Sequence, residues 1–223
     1  MFDAMPTCVT LLRRWGLPVV GADPSTHLAV PRDRGLARAD PRPRSAVVFH
    51  REEREITGVA TLDAVVALRH AGSCLPRLGF VAAVDATLNR GLVDRSRLGE
   101  AAGPAVDASW LTAVVDARSE SPAETFARVP LVERGFRVAS QVDFERIGRV
   151  DLVVADAVVV ETDGFAFHSS REAFEADRSR DRALRLLGFS VLRYTASQVF
   201  RDPVRVARDV ERLVGPPDRP LGR

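Results

Sequence analysis

The stretch from Arg149 to Gly164, Arg-Val-Asp-Leu-Val-Val-Ala-Asp-Ala-Val-Val-Val-Glu-Thr-Asp-Gly, admits few folds. Residues 149–154 and 158–163 are short valine-rich runs, and runs of this kind read as strands. With so little chain between them, they are expected to pair as an antiparallel hairpin. Glu161 and Asp163 are two apart on the second strand, so they share one face. They end a run of four apolar residues, 157–160. Adjacent carboxylates repel, and burial adds a desolvation cost. Such a pair calls for a cation.

That cation cannot be lysine. All 32 Lys-plus-Arg positions are arginine. The absence of lysine also excludes Schiff-base chemistry and a phosphate-loop lysine. Arginine or a divalent metal remains, and hard carboxylate oxygens suit Mg²⁺ or Mn²⁺. Asp151 on the first strand joins the pair only in one register. A two-residue turn at Asp156-Ala157 places Asp151 opposite Thr162. A three-residue turn over 155–157 places it opposite Glu161, and the metal reading requires this second register.

The surrounding pattern is mixed α+β. Residues 26–30 and 46–49 read as short strands flanking a Pro/Arg loop. Three- and four-residue spacing of apolar residues predicts helices over 62–71, 79–89, 98–102 and 107–117. Asp85 and Asp94 read as solvated or capping. The texture changes near 116–119. Beyond it a helix runs from Ser121 to Arg134, with strands over 137–144, 149–154 and 158–163. A charged helix at 170–187, a strand at 189–194 and a helix at 203–214 complete an αβββαβα order. We therefore divide the 223 residues into a mainly helical N-terminal domain with a short β element (1–118), a second domain (119–214) and a flexible tail (215–223).

Composition is that of a globular chain, 46% hydrophobic and 28% charged. A net charge of +2 excludes a strong global basic field. Cys8 and Cys74 show neither metal-ligand spacing nor a disulfide framework, so they read as small buried residues. No apolar run is long enough to span a membrane, and the N-terminus has no leader pattern. The cytoplasm is the expected location.

Several motifs occur in order: Asp151; the hairpin; Glu161-Thr162-Asp163-Gly164 with His168; Phe174-Glu175-Ala176-Asp177-Arg178-Ser179-Arg180-Asp181; and Leu187-Gly188-Phe189-Ser190-Val191-Leu192-Arg193-Tyr194-Thr195. Together they resemble a bacterial domain related to the very-short-patch-repair (Vsr) endonuclease, within the PD-(D/E)XK nuclease superfamily. Residues 26–31, His50-Arg51 and 84–88 resemble the middle region of actinobacterial proteins that carry this domain. Many of those proteins begin with a winged helix related to AbiEi-type antitoxins, for which this sequence has too little length ahead of residue 26.

The resemblance implies a restriction-endonuclease-like core over about 119–214, with DNA as substrate and Mg²⁺ or Mn²⁺ as cofactor. It implies that Asp151, Glu161 and Asp163 bind metal, with Asp163 standing where the superfamily usually has lysine. His168 would assist proton transfer, and Glu124 would be the acid of the first helix. Arg178 and Arg193 are the candidate phosphate contacts. Each also has a plainer reading. Ser121 and Glu124 make a capping box, Asp151 pairs with Arg149 or Arg193, and Phe165 and Phe167 are core residues. The resulting expectation is metal-dependent hydrolysis of DNA phosphodiesters. The alternative is a catalytically inactive nucleic-acid-binding or antitoxin-type regulator that keeps the nuclease fold. The enzyme reading expects the carboxylates of Asp151 and Glu161 close enough to share one cation and open to solvent; it falls if Arg193 fills that space instead.

Overall fold

The computed structural model describes residues 4–32, 47–52, 63–163 and 171–217. Its contacts divide the chain into two units, Met1–Ala117 and Arg118–Arg223.

The first unit opens with a short strand β1 (Met5–Pro6) and helix α1 (Cys8–Arg14). Strands β2 (Thr26–Pro31) and β3 (Val47–Glu52) follow. β1 pairs antiparallel with β2, and β2 pairs parallel with β3. The Pro/Arg loop expected between β2 and β3 lies outside the described residues. Four helices complete the unit: α2 (Ala64–Ala71), α3 (Arg77–Asn89), α4 (Leu98–Ala102) and α5 (Ala108–Val114). Asp63 and Asp107 cap α2 and α5 by accepting from the amides of Val66 and Trp110. Helix α5 stops short of the expected residue 117. Asp85 explains the stop: its carboxylate is buried in α3 and accepts the Asp116 amide at 2.8 Å. Asp85 is thus a buried anchor rather than a solvated or capping residue.

The second unit begins with α6 (Pro122–Arg134), capped by Ser121 and ended by Gly135 in the left-handed region. Strands β4 (Val138–Phe144), β5 (Gly148–Val154) and β6 (Val158–Asp163) form an antiparallel meander. Helix α7 (Arg171–Leu186) then crosses to β7 (Ser190–Thr195), which lies parallel to β6. Helices α8 (Ala196–Arg201) and α9 (Pro203–Val214) close the unit. The sheet order is β4-β5-β6-β7. This mixed α+β arrangement is compatible with a restriction-endonuclease-like fold. Helix α8 was not evident from periodicity; it is a six-residue turn initiated by a capping box between Thr195 and Gln198.

The sheet is packed on both sides, which fits the apolar middle of its central strands, Leu152 to Val154 and Val158 to Val160. Leu184 of α7 packs on Val150, Val153 and Val159. Helix α6 lies against β5 and β6. The β5–β6 connection is a tight turn in which Ala157 N donates to Val154 O. Ala155 and Asp156 both have φ 51°, as a type I′ turn requires. The resulting pairing runs Leu152 to Val160, Val153 to Val159 and Val154 to Val158. Extended by one residue, this register sets Asp151 opposite Glu161. No described helix is long and apolar enough to cross a membrane.

Candidate active site

Asp151 and Glu161 lie just past the last regular β5–β6 pair, Leu152 with Val160. There the Asp151 side chain substitutes for the ladder. Its Oδ2 accepts from the Thr162 amide at 2.8 Å and from the Thr162 hydroxyl at 3.0 Å. Two donors on one oxygen fix the orientation of the carboxylate. Arg149 and Arg193 are both engaged by other acids. Arg149 binds Glu120 at 2.8 Å, and Arg193 binds Glu161.

Gln141 occupies the facing position on β4, between the Ser140–Leu152 and Val142–Val150 pairs. Its φ of 55° distorts the strand locally. From there its amide donates to Glu124 Oε2 at 2.8 Å. The same oxygen accepts the Glu120 amide at 2.9 Å. The expected capping box is therefore only half formed. Ser121 accepts the Glu124 amide, but the Glu124 carboxylate turns to Glu120 and Gln141. Burial raises the Glu124 pKa, and the nearby Asp151 charge raises it further against its hydrogen bonds.

Glu161 is buried, at 7% exposure. Both of its oxygens are engaged. Arg180 reaches Oε1 at 2.7 Å, and the Arg193 Nε reaches Oε2 at 2.9 Å. Arg193 is its partner across the parallel β6–β7 ladder, and its Nη2 continues to Asp181 at 2.8 Å. Arg180 also donates to the Arg149 carbonyl. Burial pushes the Glu161 carboxyl up, the two guanidiniums hold it down, and the Asp151 charge adds to the rise.

Three sequence-selected acids, Glu124, Asp151 and Glu161, thus belong to one electrostatically coupled cluster. Arg193 is inside that cluster and engaged by two carboxylates. Arg178 is exposed on α7. Asp163 has a described backbone, paired with Thr195; its side chain, His168, Phe165 and Phe167 lie outside the described residues. Sequence reasoning missed Gln141, Thr162 and Arg180. Arg180 alone carried a signal, as a helical arginine in a lysine-free chain with buried acid nearby.

Sequence reasoning also missed a second cluster. Cys8, His27, His50 and Cys74 of the first unit each place one ligand atom within 4.8 Å of the others. No local spacing announced it, because its members come from four separate segments.

The match to known families falls on the second unit. The restriction-endonuclease-like family model REase_MTES_1575 matches residues 126–214. This span contains Asp151, Glu161, Arg180 and Arg193, and it indicates a restriction-endonuclease-like domain. Such domains typically use divalent metals, and the match points to nuclease activity in general. Comparison with curated proteins and with solved structures finds no match.

Proposed function

We propose that the second unit is a metal-dependent endonuclease domain, related to the Vsr endonucleases, that hydrolyses DNA phosphodiesters. The observation that carries this reading is the meeting of Asp151 and Glu161 across the hairpin, with Glu124 coupled to Asp151 from α6. The donor set is all hard oxygen and fits Mg²⁺ or Mn²⁺. Asp151, Glu161 and Asp163 would hold the ion, beside Glu124. Such an ion polarises a phosphodiester and lowers the pKa of water.

The chain's own groups have separable tasks. Thr162 orients Asp151 through its amide and hydroxyl. Gln141 and the Glu120 amide position Glu124. Arg180 and Arg193 neutralise Glu161 until the site is loaded, then supply positive charge for developing phosphate oxygens, a task lysine cannot perform here. His168 relays a proton. The charge count favours a cation: Glu124, Asp151, Glu161 and Asp181, when ionised, face Arg180, Arg193 and the more distant Arg185, leaving one negative charge among these described groups. On this reading the protein acts in the cytoplasm, in the setting of AbiEi-like actinobacterial proteins.

A second reading is favoured by one observation. Arg193 stands on Glu161, which by the criterion above counts against cleavage. In that reading the domain binds nucleic acid without cutting it. Plasmid nicking with Mg²⁺ or Mn²⁺ separates the two. Cleavage by wild type, lost in both Asp151→Ala and Glu161→Ala, supports the nuclease. DNA binding without metal-dependent nicking supports the second reading. Nicking unchanged in both variants places the activity elsewhere.

A further inference from the structure

We propose that Cys8, His27, His50 and Cys74 bind one structural zinc ion in the first unit, a site separate from the acidic cluster. The four residues come from the first position of α1, from β2, from β3 and from the segment joining α2 to α3. The parallel register pairs His27 with Val48 and Ala29 with His50, so both imidazoles lie on one face. His27 Nδ1 stands 3.0 Å from His50 Nε2, and Cys74 Sγ stands 3.8 Å from that same Nε2. A tetrahedral zinc with ordinary Zn–N and Zn–S lengths sets its ligand atoms about 3.3–3.8 Å apart. The cluster therefore needs only small adjustments to accept an ion.

The donor chemistry selects the metal. Two sulfurs and two imidazoles in a tetrahedral set suit zinc, whereas Mg²⁺ and Mn²⁺ prefer oxygen. All four positions are filled by protein, and Cys8 and His27 are buried. A set closed by four protein ligands is the signature of a structural rather than a catalytic zinc. Both thiols are free of disulfide. Binding breaks two S–H bonds, forms two Zn–S bonds and releases two protons without redox change. The neutral Zn(Cys)₂(His)₂ product is the charge state a buried site tolerates.

Three further features fit an ion. His27 Nδ1 and His50 Nε2 face each other at 3.0 Å, two imidazole nitrogens that an ion between them would bring together. Cys8 has φ 52°, a left-handed backbone that costs a non-glycine residue about 1–3 kcal/mol. Next, His70 stacks on His50 with ring centroids 4.7 Å apart. His70 is held by Thr7 at 2.8 Å and faces Glu52 at 3.6 Å, as an outer layer supporting a ligand would be.

The test uses the full chain, purified without chelator or metal-affinity tag. Inductively coupled plasma mass spectrometry should find one zinc per chain in wild type and in Asp151→Ala. Cys74→Ser and His50→Ala should lose it. Wild type exchanged into Co²⁺ should show tetrahedral ligand-field bands and thiolate-to-cobalt charge transfer, a readout that needs no folded variant. Retention in Asp151→Ala separates this site from the acidic one. Zinc content equal to wild type in Cys74→Ser and His50→Ala, or a folded wild type that takes up neither Zn²⁺ nor Co²⁺, would overturn the proposal.

Discussion

Arg193→Met asks directly what holds the acidic cluster together. Methionine keeps an unbranched apolar stem but removes the guanidinium. At least two charged contacts vanish, the described ones being Arg193 Nε to Glu161 Oε2 at 2.9 Å and Nη2 to Asp181 Oδ1 at 2.8 Å. Hydrogen bonds to charged groups are worth about 1.5–3 kcal/mol each, and breaking a fully buried pair costs about 3–5 kcal/mol. Two features reduce the sum. Glu161 keeps Arg180 at 2.7 Å, and the side chains of Arg193 and Asp181 are 25% and 24% exposed. We expect a loss of about 2–3 kcal/mol. Urea unfolding without added divalent metal should show a lower midpoint with unchanged slope. The cost should grow as pH rises. The Glu161 pKa is already raised by burial, and losing Arg193 raises it further, so ionisation costs more above that pKa and is relieved below it. Added Mn²⁺ should restore stability, because it binds only the folded site; at a hundredfold excess over Kd this gives about 2.7 kcal/mol. A loss below about 0.5 kcal/mol, as for an ordinary surface pair, would refute the reasoning.

Three further outcomes follow from particular residues. Glu124→Gln keeps an acceptor for the Glu120 amide and Gln141 but removes a carboxylate whose pKa is raised by burial. A raised carboxyl stabilises the fold at low pH and loses that contribution as pH rises, so Glu124→Gln should match or exceed wild-type stability at neutral pH and flatten its decline as pH rises above the ordinary carboxylate range in thermal scans. Ala155→Gly relieves a φ of 51° in the β5–β6 turn and should raise stability by about 1 kcal/mol in urea titration. Leu152→Ala empties a fully buried site between β4 and β6 and should cost about 2–5 kcal/mol in the same titration.

Periodicity located most elements of the second unit because valine runs and amphipathic helices are local signals. The β6 strand, Val158–Asp163, and the last helix, Pro203–Val214, have the bounds that alternation and the Pro/Gly punctuation imply. Helix α8 escaped because six residues are too short for a periodic signal, although its Thr195-x-x-Gln198 box was present. Helix α5 ended early for a nonlocal reason, the buried Asp85 carboxylate. The hairpin register was narrowed to two alternatives by counting, but only the left-handed Ala155 and Asp156 select between them. In the candidate site, the sequence singled out the acids yet could not say how Glu161 is neutralised. Its two arginines arrive from α7 and β7, nineteen and thirty-two residues away. The Cys/His cluster was illegible for the same reason. Its ligands are spread from residue 8 to residue 74 and meet only through the β2–β3 pairing and the neighbouring helical segments.

Mn²⁺ binding, followed by the electron paramagnetic resonance of the free ion, tests the central claim most directly. Asp151→Asn retains an oxygen acceptor for Thr162 and so spares the local geometry while removing the charge. Wild type is expected to bind Mn²⁺ stoichiometrically, Arg193→Met more tightly, and Asp151→Asn at least tenfold more weakly. Wild type that binds no Mn²⁺, or Asp151→Asn that binds it as well as wild type, would contradict a metal site at Asp151 and Glu161.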